Sequence, residues 1–210
     1  PSSILRKVEP HMPRKKKDRA LPTVTLTDRE VLEAMAVRFG RKKGLNEAQK
    51  RSRRSNILNL RKMLFKEQLD FIEDDSRRKA AICSRRSGKS YAAGRYLVQE
   101  AMENDGSTCV YIARTREAAK RILWTSLKEL NQKFRLGIKF NNADLIATLK
   151  NNSQILFTGA NDASDVDKLR GAAFSLAVLD EAAFFNIDLK ELVNEVLTPA
   201  LLDRDGSLVM

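Results

Sequence analysis

Cys83-Ser84-Arg85-Arg86-Ser87-Gly88-Lys89-Ser90 decides the fold. The last three residues match the end of the phosphate-binding pattern G-x-x-x-x-G-K-[ST]. The context agrees with that reading. The apolar run Ala80-Ala81-Ile82-Cys83 predicts a strand before the loop, and a helix is expected from about Gly88 to Met102. Each residue type has a physical reason. Gly88 lets backbone N–H groups close around phosphates. Lys89 offers a point charge, Ser90 a hydroxyl for a divalent cation, and the helix N-terminus a favourable dipole. Cys83 stands where the general pattern has its first glycine.

Downstream, strands alternate with helices. Thr108 to Ala113 reads as a strand, and Arg116 to about Phe134 as an amphipathic helix with Leu123, Leu127, Leu130 and Phe134 on one face. Leu145–Leu149 and Gln154–Thr158 read as a hairpin around Asn151-Asn152. Leu176-Ala177-Val178-Leu179 is apolar throughout, the pattern of a strand buried on both faces. Residues 189–202 read as helix, and Ser207 to Met210 as a further strand. This order predicts an α/β fold with a largely parallel sheet. The Leu176–Leu179 strand delivers Asp180-Glu181, two carboxylates placed to hold a metal ion and to take a proton from water.

Composition narrows the class. The 210 residues are 42% hydrophobic, enough for a core, and carry a net charge of +12. Two cysteines and one histidine make a disulfide scaffold or a zinc site a poor expectation. The apolar runs are too short for a membrane span, so no membrane partner is expected. Residues 1–66 hold 19 Lys and Arg against 6 Asp and Glu, a net of +13, and residues 67–210 come to −1. The basic excess lies in Arg14–Lys17, Arg41–Lys43 and Lys50–Arg54. Such clusters suit a phosphate backbone as well as a solvated tail. The first 20 residues read as disordered. A capping box, Thr27-Asp28-Arg29-Glu30, opens a short helix to about Phe39, and a longer helical stretch is expected from about Asn46 to Ile72.

Together these residues resemble the large terminase subunit of tailed bacteriophages, the ATPase of the DNA-packaging motor. Four segments carry the resemblance. Ser84-Arg85-Arg86-Ser87-Gly88-Lys89-Ser90 is similar to that family's Walker A loop, with arginine inside it. Phe65-Lys66-Glu67-Gln68-Leu69-Asp70-Phe71-Ile72 resembles its adenine-recognition segment. Lys168-Leu169-Arg170-Gly171 resembles the Leu-Arg-Gly element before Walker B, and Leu179-Asp180-Glu181-Ala182-Ala183-Phe184 the Walker B itself.

The resemblance implies a P-loop NTPase of the ASCE type that hydrolyses ATP with Mg²⁺. It implies Gln68 reading adenine, and Ser84, Arg85, Arg86, Ser87, Gly88, Lys89 and Ser90 around the phosphates. Arg85 is the implied arginine against the γ-phosphate, as a cis arginine or nucleotide sensor, with Arg86 not separated from it in that role. Ser90 and Asp180 are the implied metal ligands and Glu181 the base. Arg170 is a candidate arginine finger for a neighbouring subunit, or else pairs with Asp165 or Asp167. The implied partners are double-stranded DNA, a portal protein, a small terminase subunit and further copies in a ring. The implied location is the host cytoplasm, docked on a procapsid. The domain reading is a basic extension over 1–66 and an ATPase domain over 67–210, cut before the family's coupling motif and nuclease domain. A helicase-like P-loop motor, or a basic nucleic-acid-binding protein with an inactive loop, is the alternative.

Overall fold

The computed structural model describes residues 46–210 except Arg85 and Asp162. The helix expected to about Phe39, the start expected to be disordered and the first two basic clusters lie outside the described residues.

Two helices lead in. α1 (Glu47–Arg61) starts with a capping box in which the Asn46 and Gln49 side chains satisfy each other's backbone N–H groups. α2 (Lys66–Glu73) follows after a break at 62–65. The sequence predicts one helix here; the structure has two. Leu60 and Leu64 both turn into the core, and the chain bends between them to reach it.

A seven-stranded sheet has the order β1-β7-β6-β2-β5-β4-β3. The strands are β1 (Arg78–Lys79), β2 (Thr108–Ala113), β3 (Lys139–Asn141), β4 (Ile146–Thr148), β5 (Gln154–Gly159), β6 (Leu176–Leu179) and β7 (Ser207–Val209). β1, β7, β6, β2 and β5 run parallel, while β4 and β3 add an antiparallel edge. β3 is absent from the sequence reading. It is three residues long, held by pairing with β4 and by Phe140 packing edge-on against Trp124 at 5.1 Å. β1 also differs from expectation. It lies at Arg78–Lys79, and Ala80 to Cys83 is loop, with Ile82 fully exposed. The register Arg78↔Leu208 and Lys79↔Val209 sets this, and Ala81 N–H adds one further bond to Met210 O.

The central strands are buried on both faces, which is why they read as continuous apolar runs. Cys109, Tyr111 and Ala113 of β2, with Leu176 and Val178 of β6, join the core under α3 (Lys89–Glu103) and the long helix α4 (residues 116–134). Val110, Ile112, Ala177 and Leu179 join a second core on the opposite face, beneath α5 (Ala163–Asp167) and the helix α6 (residues 189–202). α4 and α6 each contain a π turn, at Lys120–Trp124 and Leu192–Leu197. In α4 that wider turn lets the adjacent Leu123 and Trp124 both be buried. Gly94 of α3 meets Leu123 so closely that a Cβ there would lie 2.6 Å from Leu123 Cδ1.

Candidate nucleotide-binding site

The site lies where the parallel strands end and α3 begins, the place where open α/β sheets bind ligands. β7 separates β1 from β6, so the phosphate-type loop and the carboxylate strand are not neighbours in the sheet. Ser90, at the start of α3, reaches the residue that follows β6 across that gap. Gly88 caps α3 with φ +80°, a left-handed conformation that lets the chain turn into the helix. No side chain caps α3, so its first N–H groups are free to meet an anion.

Ser90, one residue into α3, donates from Oγ to Asp180 Oδ2 at 2.7 Å, joining residues 90 positions apart. Asp180 is buried, and its N–H continues the β6–β2 ladder by donating to Ile112 O. A second hydroxyl reaches the same oxygen: Tyr111 Oη donates to Asp180 Oδ2 at 2.5 Å. Tyr111 has no exposed surface. Burial, and then the Asp180 charge beside it, push its phenol far above the ordinary tyrosine range.

Glu181, next in the chain, is exposed and holds φ +57°. A non-glycine residue in that region is strained by about 1–2 kcal/mol. The strain turns the chain sharply off β6 into the turn Ala182–Phe184. Arg86 is likewise left-handed, at φ +63°, and exposed. Arg85 lies outside the described residues. Lys89 Nζ donates to Cys83 O at 3.3 Å, spanning the loop. Ser84 is exposed, and Ser87 Oγ is buried with no partner.

Gln68 sits on α2 and is buried against the loop. Its Nε2 donates to Gly88 O at 3.2 Å, and its Oε1 is buried without a partner. The structure therefore brings Gln68, Gly88, Lys89, Ser90, Asp180 and Glu181 to the carboxyl end of the parallel strands. Arg170 has other partners: its Nε meets Asp167 at 3.0 Å and its guanidinium reaches Glu191 at 3.5 Å. Asp167 is one of the two carboxylates expected from sequence; Glu191 lies on α6 and is found only by folding. Tyr111 is the site residue the sequence reading misses. Its signal was period two along β2 and β6, which puts residues 111 and 180 on the same face once the register Tyr111↔Val178 is known.

The donor set suits Mg²⁺. A serine hydroxyl that gives its proton to Asp180 keeps its lone pairs for a hard cation, and Mg²⁺ is held by few protein oxygens plus phosphates and water. Among the described residues no cluster of three or more His, Cys, Asp or Glu side chains could form an all-protein cage.

A parallel sheet whose loop-bearing strand and carboxylate strand are separated by one strand, with a G-K-S loop opening a helix, defines a P-loop NTPase fold. Comparison with known proteins narrows it. The family "Terminase large subunit, T4likevirus-type, N-terminal" matches residues 81–192, and the chain belongs to that family. The large terminase ATPase domain of Thermus phage P74-26 superposes with a TM-score of 0.59 at 25% identity, over 70% of this chain and 63% of that one. The large terminase of bacteriophage HK97 gives 0.56 at 18%, over 70% and 32%. The large terminase of a thermophilic bacteriophage in complex with ADP gives 0.58 at 19%, over 70% and 38%. The chain thus spans less than two thirds of the length of these structures. No curated protein matches it.

Proposed function

We propose that this chain is the ATP-hydrolysing part of a viral DNA-packaging motor. The observation that carries the reading is the Ser90–Asp180 hydrogen bond, which joins the loop and the carboxylate strand at the mouth of α3. The N-terminus of α3 and the loop amides receive the phosphates of ATP. Lys89 exchanges its present acceptor, the exposed Cys83 carbonyl, for phosphate oxygens. Gln68, with Oε1 unpaired beside the loop, has a donor and an acceptor for the adenine edge. Ser90 and Asp180 would hold Mg²⁺, which would neutralise charge developing on the phosphates.

Glu181 stands at the open edge of the site as an exposed carboxylate, oriented by its strained backbone to take a proton from attacking water. Arg85 or Arg86 supplies positive charge to the γ-phosphate. Arg170 serves a neighbouring subunit in a ring, leaving exposed ion pairs that hold it only weakly. The basic residues before α2 meet the backbone of double-stranded DNA, and a portal protein and a small subunit complete the assembly.

Glu181→Gln in the complete protein tests the assignment. Turnover should fall by about a thousandfold while ATP affinity stays within a factor of a few. Normal hydrolysis by that variant would remove Glu181 from the role of base.

A further inference from the structure

Tyr111 is absent from every motif described above, yet it touches the centre of the site. It lies in the middle of β2, packed against Phe157 with ring centroids 5.8 Å apart. Its hydroxyl and that of Ser90 converge on one oxygen, Asp180 Oδ2. Among the described residues Asp180 Oδ1 receives no side-chain hydrogen bond. A carboxylate fixed by two donors on one oxygen cannot rotate freely, and its other oxygen is held in one direction. The one proton of the phenol points at Asp180 Oδ2, whereas the Ser90 hydroxyl would be shared between Asp180 and a cation.

We propose that Tyr111 is a positioning residue that locks the Asp180 carboxylate through Oδ2, so that Oδ1 is held in one direction for a bound cation. The inference rests on the nucleotide-binding reading given above. A core role alone would need only the ring, and phenylalanine would serve as well. The hydroxyl is explained by the carboxylate it meets.

Tyr111→Phe keeps the ring and deletes the donor. The readout is equilibrium binding of a fluorescent ATP analogue to the full chain, titrated with Mg²⁺ and repeated in chelator. Wild type should bind more tightly as Mg²⁺ is added. In Tyr111→Phe the Mg²⁺ concentration for half-maximal enhancement should rise about tenfold, the weight of one hydrogen bond to a charged group. Binding in chelator should be unchanged, since the loop keeps its contacts. In an Asp180→Asn background, adding Tyr111→Phe should have no further effect on the Mg²⁺ response.

Equal Mg²⁺ dependence in wild type and Tyr111→Phe would overturn the proposal. So would parallel losses with and without the metal, a further loss in the Asp180→Asn background, or a Tyr111→Phe protein that does not fold, each marking a purely structural tyrosine. A wild-type protein that binds no nucleotide under either condition would instead sink the nucleotide-binding reading itself.

Discussion

Gly88 shows how tightly single residues constrain the site. It needs a left-handed φ, and a Cβ there would lie 2.7 Å from Gln68 Nε2. Gly88→Ala therefore carries two penalties, backbone strain of about 1–2 kcal/mol and displacement of Gln68 from the loop. Thermal unfolding should drop by several degrees, and nucleotide affinity should fall with it. Adding Gln68→Ala relieves only the contact, so the double variant should recover little stability; full recovery would show that strain at Gly88 is negligible. Glu181 is the converse case. It is a side chain held in the same backbone region without being glycine, and its left-handed turn directs the chain away from β6 directly after Asp180.

At the scale of elements, α2 and β1 are joined by one buried lysine. Lys79 Nζ donates to Phe71 O at 3.2 Å and Ile72 O at 3.0 Å, in the last turn of α2, and lies 5.2 Å from the Tyr96 ring centroid. Burial lowers its ammonium below the ordinary lysine value. This cation ties the short helix that carries Gln68 to the strand that leads into the loop. Lys79→Ala leaves two helix carbonyls short of a donor and should destabilise the fold by about 2 kcal/mol in urea unfolding. The exposed Lys66, changed in the same way, should stay within about 0.5 kcal/mol. Adenine-nucleotide affinity should weaken in the Lys79 variant alone. Equal effects at the two lysines would mean that the Lys79 contacts contribute nothing.

At the scale of the whole molecule, the two cysteines report the architecture. Cys83 is exposed in the loop, whereas Cys109 is buried in β2 with its thiol pushed up to about 12. A thiol reagent should label one cysteine quickly and the other only on unfolding, and ADP should slow the labelling of Cys83. Burial likewise pushes Tyr96 up to about 12. Both groups ionise in the unfolded chain at lower pH than in the native one. Their contribution is therefore complete below pH of about 9 and is lost as pH rises from there to about 12. Stability by urea unfolding should be level at neutral pH and decline above about 9; a rise there would contradict the burial. Much of this fold was legible in the residues themselves. Continuous apolar runs gave β2 and β6, G-K-S marked the turn into α3, and Asp180-Glu181 ended its strand, because each pattern is a local consequence of burial or of one backbone turn. Other features are consequences of register and packing between distant segments. The break between α1 and α2, the shift of β1 to Arg78–Lys79, the edge strand β3, the Glu191 partner of Arg170 and the Tyr111 hydroxyl on Asp180 all depend on which residues fold opposite one another. Local sequence determined the kinds of element and the chemistry they carry. Only the tertiary structure decided the partners, because a hydrogen bond between residues 69 positions apart has no local signature.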